Sequence, residues 1–348
     1  MKQEYKDSLL QLLQQHTELG ISEQLGYKKF YLYSIITHST AIEGSTVTEV
    51  EAQLLFDEGI TSSKRTIMEQ NMNLDLKAAY DYGREWIMRH EDITVDSLIA
   101  LASKVMARTG GEYNTFSETF NAAKGELRKV NVSAGAGGRS YMNYLKVPQR
   151  LQAFCNELNK RRKNINTTDV AAIYELSFWA HYELVTIHPW VDGNGRTCRL
   201  LMNLLQMEYG VLPTKVLRKD KAEYIQALVD TREEEDVNIF IDCMTKLHCT
   251  HVQEDIDKFI KSVSSEQVDK QDFLTDLVDK WSINGDLADK MADILVFVAD
   301  KKNFTSEMIV NRLGFSQTTT KRYLRRLVEM GYIAAHGGNR NRTYSITI

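Results

Sequence analysis

The stretch His188–Arg199 reads H-P-W-V-D-G-N-G-R-T-C-R, and it predicts an anion-binding loop at the start of a helix. Its Gly-Asn-Gly turn lets backbone N–H groups approach an anion closely, and the helix N-terminus that follows adds partial positive charge. Arg196 and Arg199 are three residues apart, so they share one helix face and can both bind phosphate oxygens. Because positive side chains are unfavourable at a helix N-terminus, two arginines there indicate a bound anion.

Two further side chains of this stretch are candidates for chemistry. His188 is the group in it that can move a proton near neutral pH. Asp192 can hold Mg²⁺, a hard cation that prefers carboxylate and phosphate oxygens. Taken singly, such a histidine is more often structural, and such an aspartate is more often a turn or cap residue. The functional interpretation therefore depends on their occurrence together in one motif.

Helical patterns flank the stretch on both sides. A capping sequence, Thr167–Asp169, precedes an apolar helix that we expect to end at Ile187. A second helix is predicted from about Arg196 to Gly210, with its leucines facing a core. The motif is therefore expected in the loop of a helix–loop–helix, at the N-terminus of the second helix.

The chain as a whole is predicted to be mainly α-helical. It has only three prolines in 348 residues, and helical periodicity runs through residues 1–108. Strand-like alternation occurs only around residues 130–146, where a β-hairpin is expected about the turn 133–138. The glycines of that turn lack the Lys-Ser/Thr and the helix that follow a phosphate-binding loop, so a hairpin is favoured.

Residues 287–348 differ in character from the rest of the chain. Two short helices, a basic helix from Gln317 to Met330 and two strands predict a winged helix-turn-helix. Within residues 301–348, nine Lys/Arg stand against two Asp/Glu. DNA binding and a protein–protein or dimerisation module both stay open for this region. The expected domains are a helical region (1–108), a core (109–262), a linker or bridging helix (263–286) and the winged helix (287–348).

The composition is typical of a soluble protein, which we expect to be cytoplasmic. Hydrophobic residues make up 43% and charged residues 26%, and the formal net charge of −4 argues against polyanion binding by the whole chain. The four cysteines form neither a disulfide framework nor a CxxC pair, which indicates a reducing compartment. The N-terminus is too polar for a signal peptide, and no apolar run approaches a membrane span.

One further cluster of residue types suggests a metal site at first sight. It consists of Cys243, His248, Cys249 and His251. Zinc is bound by such side chains, but residues of one helix at these spacings cannot all face one ion. Packing of this helix is therefore the favoured interpretation.

The stretch His188–Arg199 resembles the signature of the Fic family, His-Pro-Phe-x-Asp/Glu-Gly-Asn-Gly-Arg-x-x-Arg, with Trp190 in place of phenylalanine. Both are large aromatic residues that anchor the loop in the core, so we expect little effect on chemistry. The segment Gly125–Arg128, followed by the hairpin, resembles the family's flap, which positions the target side chain. Ser39–Gly44, which reads S-T-A-I-E-G, is similar to the inhibitory motif Ser/Thr-x-x-x-Glu-Gly/Asn.

The resemblance implies a mainly α fold: a Fic-type helical core with a small β-hairpin flap, followed by the winged helix-turn-helix. It also implies transfer of AMP from ATP to a Ser, Thr or Tyr hydroxyl of a target protein or of the protein itself. In that reaction His188 would deprotonate the hydroxyl, Asp192 would bind magnesium and Arg199 would hold the γ-phosphate. The residues implied around the phosphates are Gly193, Asn194, Gly195 and Arg196.

The resemblance further implies an enzyme that is inhibited by default, through a motif containing Ser39, Glu43 and Gly44. Glu43 would pair with Arg199, displace the γ-phosphate and leave ATP in an unproductive pose. A carboxylate that takes the arginine removes a charge-assisted contact and repels a polyphosphate. In some relatives the equivalent glutamate also supports removal of AMP, so a reverse activity stays open here.

Other functions remain open at this point. The same core could transfer UMP, phosphate or phosphocholine, or the protein could be a DNA-binding regulator that uses the fold as a nucleotide sensor. Tyr224 and Leu228 could line an adenine pocket, although core packing explains them equally well. Relatives often self-associate, so a homodimer is expected without a local signature, and no membrane partner is expected.

Overall fold

The computed structural model describes residues 1–115, 118–134, 140–299, 301–338 and 342–347. It divides the chain into two compact units, Met1–Ile256 and Asp257–Ile348. The first unit contains the motif, and the second contains the predicted winged helix. Among the described residues, no helix combines the length and the apolar character that crossing a bilayer requires.

The fold is mainly α-helical, as predicted. Threonine and aspartate side chains cap several of the helices, and Thr48, Thr66 and Asp169 each accept a hydrogen bond from a backbone N–H of the first turn. The helices that begin in the first unit are α1 (Gln3–Glu18), α2 (Tyr27–Ile42), α3 (Glu49–Asp57), α4 (Ile67–Ile87), α5 (Val95–Val105), α6 (Val147–Asn164), α7 (Val170–Ile187), α8 (Asn194–Glu208), α9 (Lys221–Glu234) and α10 (Val237–Trp281).

Helices α7 and α8 form the centre of the first unit. They pack against each other, and α4 packs against α8. Between Ala171 and Ile187, buried residues occur on every face of α7, and α8 is buried over almost its whole length. A helix that is apolar all round belongs in the interior. The loop that joins these two helices is therefore held on both sides by the best-packed part of the unit.

Two short strands lie where the sequence predicted none. Strands β1 (Glu112–Asn114) and β2 (Thr119–Asn121) pair antiparallel, with Tyr113 opposite Phe120. The prediction that strand-like structure occurs only around residues 130–146 is therefore wrong. Three residues are too few for an alternating pattern to stand out in the sequence, and β1 is exposed throughout.

Among the described residues, the hairpin expected at residues 130–146 is represented by a bridge between Ser133 and Ser140. The N–H of Tyr141 donates a hydrogen bond to the carbonyl of Val132 at 3.0 Å. Most of the predicted turn, residues 135–139, lies outside the described residues. The two arms of the flap are thus antiparallel neighbours without forming regular strands.

The second unit has its own core. Its later elements are α11 (Asp286–Val298), α12 (Ser306–Leu313), α13 (Gln317–Glu329) and the antiparallel pair β3 (Ile333–His336) and β4 (Thr343–Ile346). The core includes Leu295, Ile309, Leu324 and Tyr344. Helix α10 continues to Trp281 and so runs through most of residues 263–286, where a linker or bridging helix was expected. The assignment of this unit as a winged helix-turn-helix stays a prediction.

Candidate functional site

The motif loop is braced from within by its own side chains. Asn194 donates from Nδ2 to the carbonyl of Trp190 at 2.8 Å and accepts the N–H of Trp190 at 3.1 Å. The Trp190 indole is buried and donates to the carbonyl of Gly125 at 2.9 Å. The side chain of Asn194 therefore stabilises the loop. Its backbone N–H belongs to the first turn of α8, where N–H groups have no partner within the helix.

The loop begins and ends with residues in the left-handed backbone region. His188 closes α7 with φ 52°, and Gly193 caps α8 with φ 80°. A Cβ at Gly193 would lie 2.6 Å from the sulfur of Met106, so this position requires glycine for its packing as well as for its backbone. These two turns bring the imidazole of His188 and the N-terminus of α8 to the same end of the helix pair.

Arg128 ties the segment that carries the flap to the motif. Its buried guanidinium donates to three backbone carbonyls, those of His188 at 2.7 Å, Val130 at 2.8 Å and Met142 at 2.6 Å. Its own N–H donates to the carbonyl of Pro189 at 2.9 Å. Burial lowers the pKa of the Arg128 guanidinium. Hydrogen bonds to charged donors are the stronger ones, so this residue fixes His188 relative to both arms of the flap.

The environment of His188 keeps its imidazole neutral. The His188 ring stacks on the Tyr141 ring with their centroids 3.8 Å apart. The guanidinium of Arg232 lies over the Tyr141 ring, 5.2 Å from its centroid. Burial is the main cause that lowers the pKa of His188 to about 4, and the charges of Arg128 and Arg232 lower it further. A neutral imidazole at physiological pH is the form that can accept a proton.

Arg196 is a buried cation whose hydrogen-bonding capacity is largely unused. One terminal nitrogen lies 3.1 Å from the sulfur of Met106 and 3.6 Å from the Asp192 carboxylate. Its Nε and other terminal nitrogen have no hydrogen-bond partner among the described residues. A buried charge is costly unless it is paired. The N-terminus of α8 therefore presents unsatisfied cationic donors.

Arg199, one turn further along α8, donates most of its hydrogen bonds to residues at the end of α2. It donates to the Ser39 hydroxyl at 2.9 Å, the Ser39 carbonyl at 2.9 Å and Oε1 of Glu43 at 2.6 Å. Burial is the largest single influence on the pKa of Glu43 and raises it. The charge and hydrogen bond of Arg199, together with the charges of Arg196 and Lys221, outweigh burial, so the pKa of this carboxyl lies below its usual value. Burial lowers the pKa of Arg199, but the charges and hydrogen bonds of Glu43 and Tyr224 together raise it above its usual value. The two groups thus form an ion pair at neutral pH.

Glu43 reaches this position because α2 ends there. It is the residue that caps the helix, and Gly44 follows it with φ 108°, a backbone conformation that favours glycine. The side chain of Glu43 is still 35% exposed, so the ion pair lies at the mouth of the site. The expectation of a pairing between Glu43 and Arg199 therefore has its geometric counterpart in the structure.

Asp192 is the carboxylate of the loop and is 59% exposed on its side chain. One of its oxygens accepts the N–H of Gly193 at 2.5 Å. Magnesium is usually held by one or two carboxylates together with substrate phosphates and water, so this donor set fits that ion. Among the described residues, no cluster of three or more His, Cys, Asp or Glu side chains is placed to hold a metal by itself.

The other candidate positions lie in the core. Tyr224 is buried, and Leu228 packs against the main hydrophobic cluster. His248 contacts the hydroxyl of Tyr174 at 3.0 Å, and His251 faces Asp220 at 3.0 Å. These two histidines therefore have partners other than the cysteines with which they were grouped in the sequence.

Sequence reasoning missed several residues that shape the site, namely Arg128, Tyr141, Met106 and Arg232. Arg128 and Tyr141 carried a signal, because they fall in or beside the segment that resembles the flap. Met106 and Arg232 carried none. They reach the loop from α5 and α9 through tertiary packing, which spacing along the chain does not encode.

Comparison with known proteins agrees with this geometry. Residues 92–206 match the family model described as the Fic/DOC family. The chain is 29% identical over 228 residues to the protein adenylyltransferase Fic of Drosophila grimshawi and 28% identical over 227 residues to that of Drosophila melanogaster. Each alignment covers 63% of this chain and 42% of the relative. The chain thus spans about two fifths of the length of these curated relatives.

Solved structures show the same fold. Fic-1 from C. elegans matches with a TM-score of 0.58 and 22% identity, over 74% of this chain and 73% of that one. A Fic family protein from Desulfovibrio desulfuricans G20 matches with a TM-score of 0.57 and 20% identity, over 98% of this chain and 96% of that one. The chain therefore contains a Fic domain, matched over residues 92–206. Its loop His188–Arg199 lies within the range that matches the family model.

Proposed function

We propose that this protein transfers AMP from ATP to a hydroxyl of a target protein or of itself, and that Glu43 holds it in an inhibited state. The observation that carries the proposal is the pair of buried guanidinium groups, Arg196 and Arg199, at the start of α8 beside a neutral His188. The similarity to relatives named protein adenylyltransferase Fic supports adenylyl transfer for this core.

The arginines account for the binding of a triphosphate. The unpaired nitrogens of Arg196 and the backbone N–H groups of residues 193–195 lie at a helix N-terminus, which favours phosphate oxygens. Arg199 would hold the γ-phosphate. Magnesium held by Asp192 would neutralise charge on the phosphates. In phosphoryl transfer, such positioning and charge stabilisation supply most of the catalysis.

His188 would act as the general base. Its neutral imidazole accepts the proton of the target hydroxyl, whose oxygen then attacks the α-phosphorus. A new P–O bond to the target forms, the bond from the α-phosphorus to the bridging oxygen breaks, and pyrophosphate leaves. Arg128 holds the His188 carbonyl and both arms of the flap, so it fixes the base relative to the segment that would present the target.

Inhibition follows from competition for Arg199. While Glu43 accepts the hydrogen bond from Arg199, its carboxylate compensates the positive charge of the arginine. The same carboxylate would repel a γ-phosphate at that place. The three hydrogen bonds from Arg199 to Ser39 and Glu43 must break before the arginine can bind a phosphate. The activity of the unmodified chain should therefore be low.

The test is Glu43→Gly in the full chain, incubated with magnesium and ATP labelled on the α-phosphate, alone and with cell lysate. We expect labelling of protein to rise by roughly 5- to 150-fold, the usual range of a coupling between sites. His188→Asn in the same background should abolish it. Glu58→Gly is a matched control, because Glu58 also caps a helix and is followed by a glycine with positive φ.

Two results would contradict the proposal in different ways. If Glu43→Gly labels nothing, adenylyl transfer fails. If the unmodified chain and Glu43→Gly label equally, the inhibitory role of Glu43 fails. Mass spectrometry of the adduct distinguishes AMP from UMP, phosphate or phosphocholine. Incubation of modified target with the unmodified chain tests removal of AMP by the Glu43 carboxylate.

A second function, binding of duplex DNA by the second unit, is favoured by one observation. The exposed face of α13 carries four cations, Lys321, Arg322, Arg325 and Arg326. The ion pairs among the described residues of this unit use other cations, those of Lys270, Lys280 and Lys290. A helix face of this charge fits a phosphate backbone.

The DNA-binding function is tested with the full chain and random duplex DNA at several salt concentrations. Lys321→Ala/Arg325→Ala should weaken binding and lower the slope of log affinity against log salt by about 2. Arg161→Ala/Lys163→Ala removes the same charge from α6, where both cations are paired with carboxylates, and should leave binding unchanged. Equal binding by both double variants would contradict the role of α13. Self-association, expected in the homodimer prediction, can be measured on the same samples by light scattering.

A further inference from the structure

Arg199 has partners of two kinds. Those on α2, Ser39 and Glu43, belong to the inhibited arrangement. The remaining partner, Tyr224 of α9, belongs to the core: its hydroxyl oxygen accepts from a terminal nitrogen of Arg199 at 3.4 Å, and the guanidinium lies 5.9 Å from its ring centroid. Tyr224 is 1% exposed, so it cannot move away as the end of α2 can.

Tyr224 is itself held by a histidine. Its hydroxyl lies 2.9 Å from Nε2 of His181, which is 0% exposed and stacks on Phe240 with centroids 5.0 Å apart. Burial, followed by the charge of Arg199, lowers the pKa of His181 to about 3. With its oxygen accepting from Arg199, the Tyr224 O–H donates to His181 in the tautomer whose Nε2 is unprotonated.

We propose that Tyr224 and His181 are positioning residues, which hold Arg199 toward the γ-phosphate after Glu43 withdraws. This proposal rests on the proposed function, in which Arg199 binds that phosphate. Both holders are neutral, so they fix the guanidinium without cancelling its charge, whereas Glu43 does cancel it. The pair therefore sets the preference of the site for a nucleoside triphosphate over a diphosphate.

The experiment measures the dissociation constants of ATP and ADP by calorimetry in the Glu43→Gly background, with magnesium. Tyr224→Phe keeps the ring and removes the hydroxyl. It should weaken ATP binding by about tenfold, the lower end of what is expected for a hydrogen bond that involves a charged group. ADP binding should change by less than about twofold, because ADP has no γ-phosphate for Arg199 to hold.

His181 is tested by two replacements with opposite expectations. His181→Phe can still pack on Phe240 but offers no acceptor, so it should reproduce the loss of ATP binding seen with Tyr224→Phe. His181→Gln offers a carbonyl oxygen to the Tyr224 hydroxyl and should restore most of the preference for ATP. A merely structural role of His181 would weaken ATP and ADP binding together.

Tyr174→Phe is a matched control. Tyr174 is also buried and forms the same kind of pair with a histidine, His248, at 3.0 Å, but its hydroxyl donates to the carbonyl of Leu212 rather than accepting from Arg199. It should leave the ratio of ATP to ADP affinity unchanged. A ratio that falls equally with Tyr174→Phe and Tyr224→Phe would overturn the proposal.

Two further outcomes separate this proposal from the proposed function. If Glu43→Gly binds ATP no better than ADP, the assignment of Arg199 to the γ-phosphate is wrong, and the positioning role fails with it. If Glu43→Gly prefers ATP but Tyr224→Phe keeps that preference, Arg199 retains its role and only the positioning pair is overturned.

Discussion

Gly195, the second residue of α8, lies directly against the side chain of Glu43. A Cβ there would lie 2.3 Å from Oε1 of Glu43 and 3.0 Å from a terminal nitrogen of Arg199. The sequence motif requires glycine for close approach of a phosphate. The structure adds that the same missing side chain leaves room for the carboxylate.

Gly195→Ala should therefore destabilise the chain in a way that depends on Glu43. We expect a loss of about 1–3 kcal/mol in the free energy of unfolding, as for other overpacked sites, and a smaller loss in the Glu43→Gly background. Urea unfolding of the four proteins measures both. Gly111→Ala is the control, since a Cβ at Gly111 meets nothing within 4 Å. Equal losses in both backgrounds would show that Glu43 does not share this space.

Single residues were predictable where the signal lies within one short stretch. The motif was predicted in the loop of a helix–loop–helix, and the structure places His188 at the end of α7, Asp192 in the loop, and Arg196 and Arg199 in the first turns of α8. Arg128 could not be assigned in this way. Its guanidinium donates hydrogen bonds to three backbone carbonyls that come together only in the folded chain. No local pattern in the sequence predicts which carbonyls those are.

At the scale of elements, α2 is an integral part of the core of the first unit. Ten of its residues are buried, including Tyr31, Ile36 and Ile42. Burial of one large apolar side chain contributes roughly 1.5–3 kcal/mol. Six of these residues have large apolar or aromatic side chains, so removal of the whole helix would cost roughly 9–18 kcal/mol, comparable to a domain's usual stability of about 5–15 kcal/mol. Release of Arg199 should instead involve only the last turn, with Glu43 and the exposed Gly44.

That last turn is pinned by Asn73 of α4. The buried Asn73 amide accepts from the Thr40 hydroxyl at 3.0 Å and donates to the Ser45 hydroxyl at 3.3 Å, so it bridges the residues on both sides of Glu43. Asn73→Ala should loosen the turn and raise AMP incorporation, by less than Glu43→Gly does. Labelling with ATP in the assay described for Glu43 measures it.

Asn159→Ala is the matched control for Asn73. Asn159 is also a buried asparagine that bridges two segments, through the backbone N–H and carbonyl of Ile93, but it does not contact α2. Its loss should destabilise the protein without raising labelling. Equal labelling by the two variants would show that Asn73 has no part in inhibition.

The elements themselves were predictable to different degrees. Helix α7 ends at Ile187 as predicted, because a capping signal and a continuous apolar pattern mark it. Helix α8 starts at Asn194, two residues before the predicted Arg196, since Gly193 rather than the arginines forms its cap. The strands β1 and β2 were missed, because three residues give no periodicity.

At the scale of the molecule, the first unit contains several histidines that are buried in the neutral form. Burial lowers the pKa of His181 and His248 to about 3, and that of His188 to about 4. In the unfolded chain each has a pKa near 6.5. Below that pH the unfolded state binds more protons than the folded state. The stabilisation is therefore complete above pH 6.5 and is lost as the pH falls toward 4.

Acid should therefore destabilise this unit steeply. Each such histidine adds a slope of about 1.4 kcal/mol per pH unit between pH 6.5 and its folded pKa. His248→Gln should reduce the total slope by about one proton, measured by urea unfolding at pH 7, 6 and 5. His336→Gln, at an exposed position of the second unit, should leave the slope unchanged. An unchanged slope in His248→Gln would contradict the assignment.

The left-handed backbone of His188 limits how this site can decay if selection for its chemistry ends. For residues other than glycine, the left-handed conformation costs about 1–2 kcal/mol. Histidine, asparagine and aspartate are among the residue types that adopt it most often. A lineage that no longer needed the base would lose it most readily to asparagine or glycine. Alanine or valine would also disturb the turn that ends α7, so the ancestry of an inactive relative should be recognisable from the small set of residues at this one position.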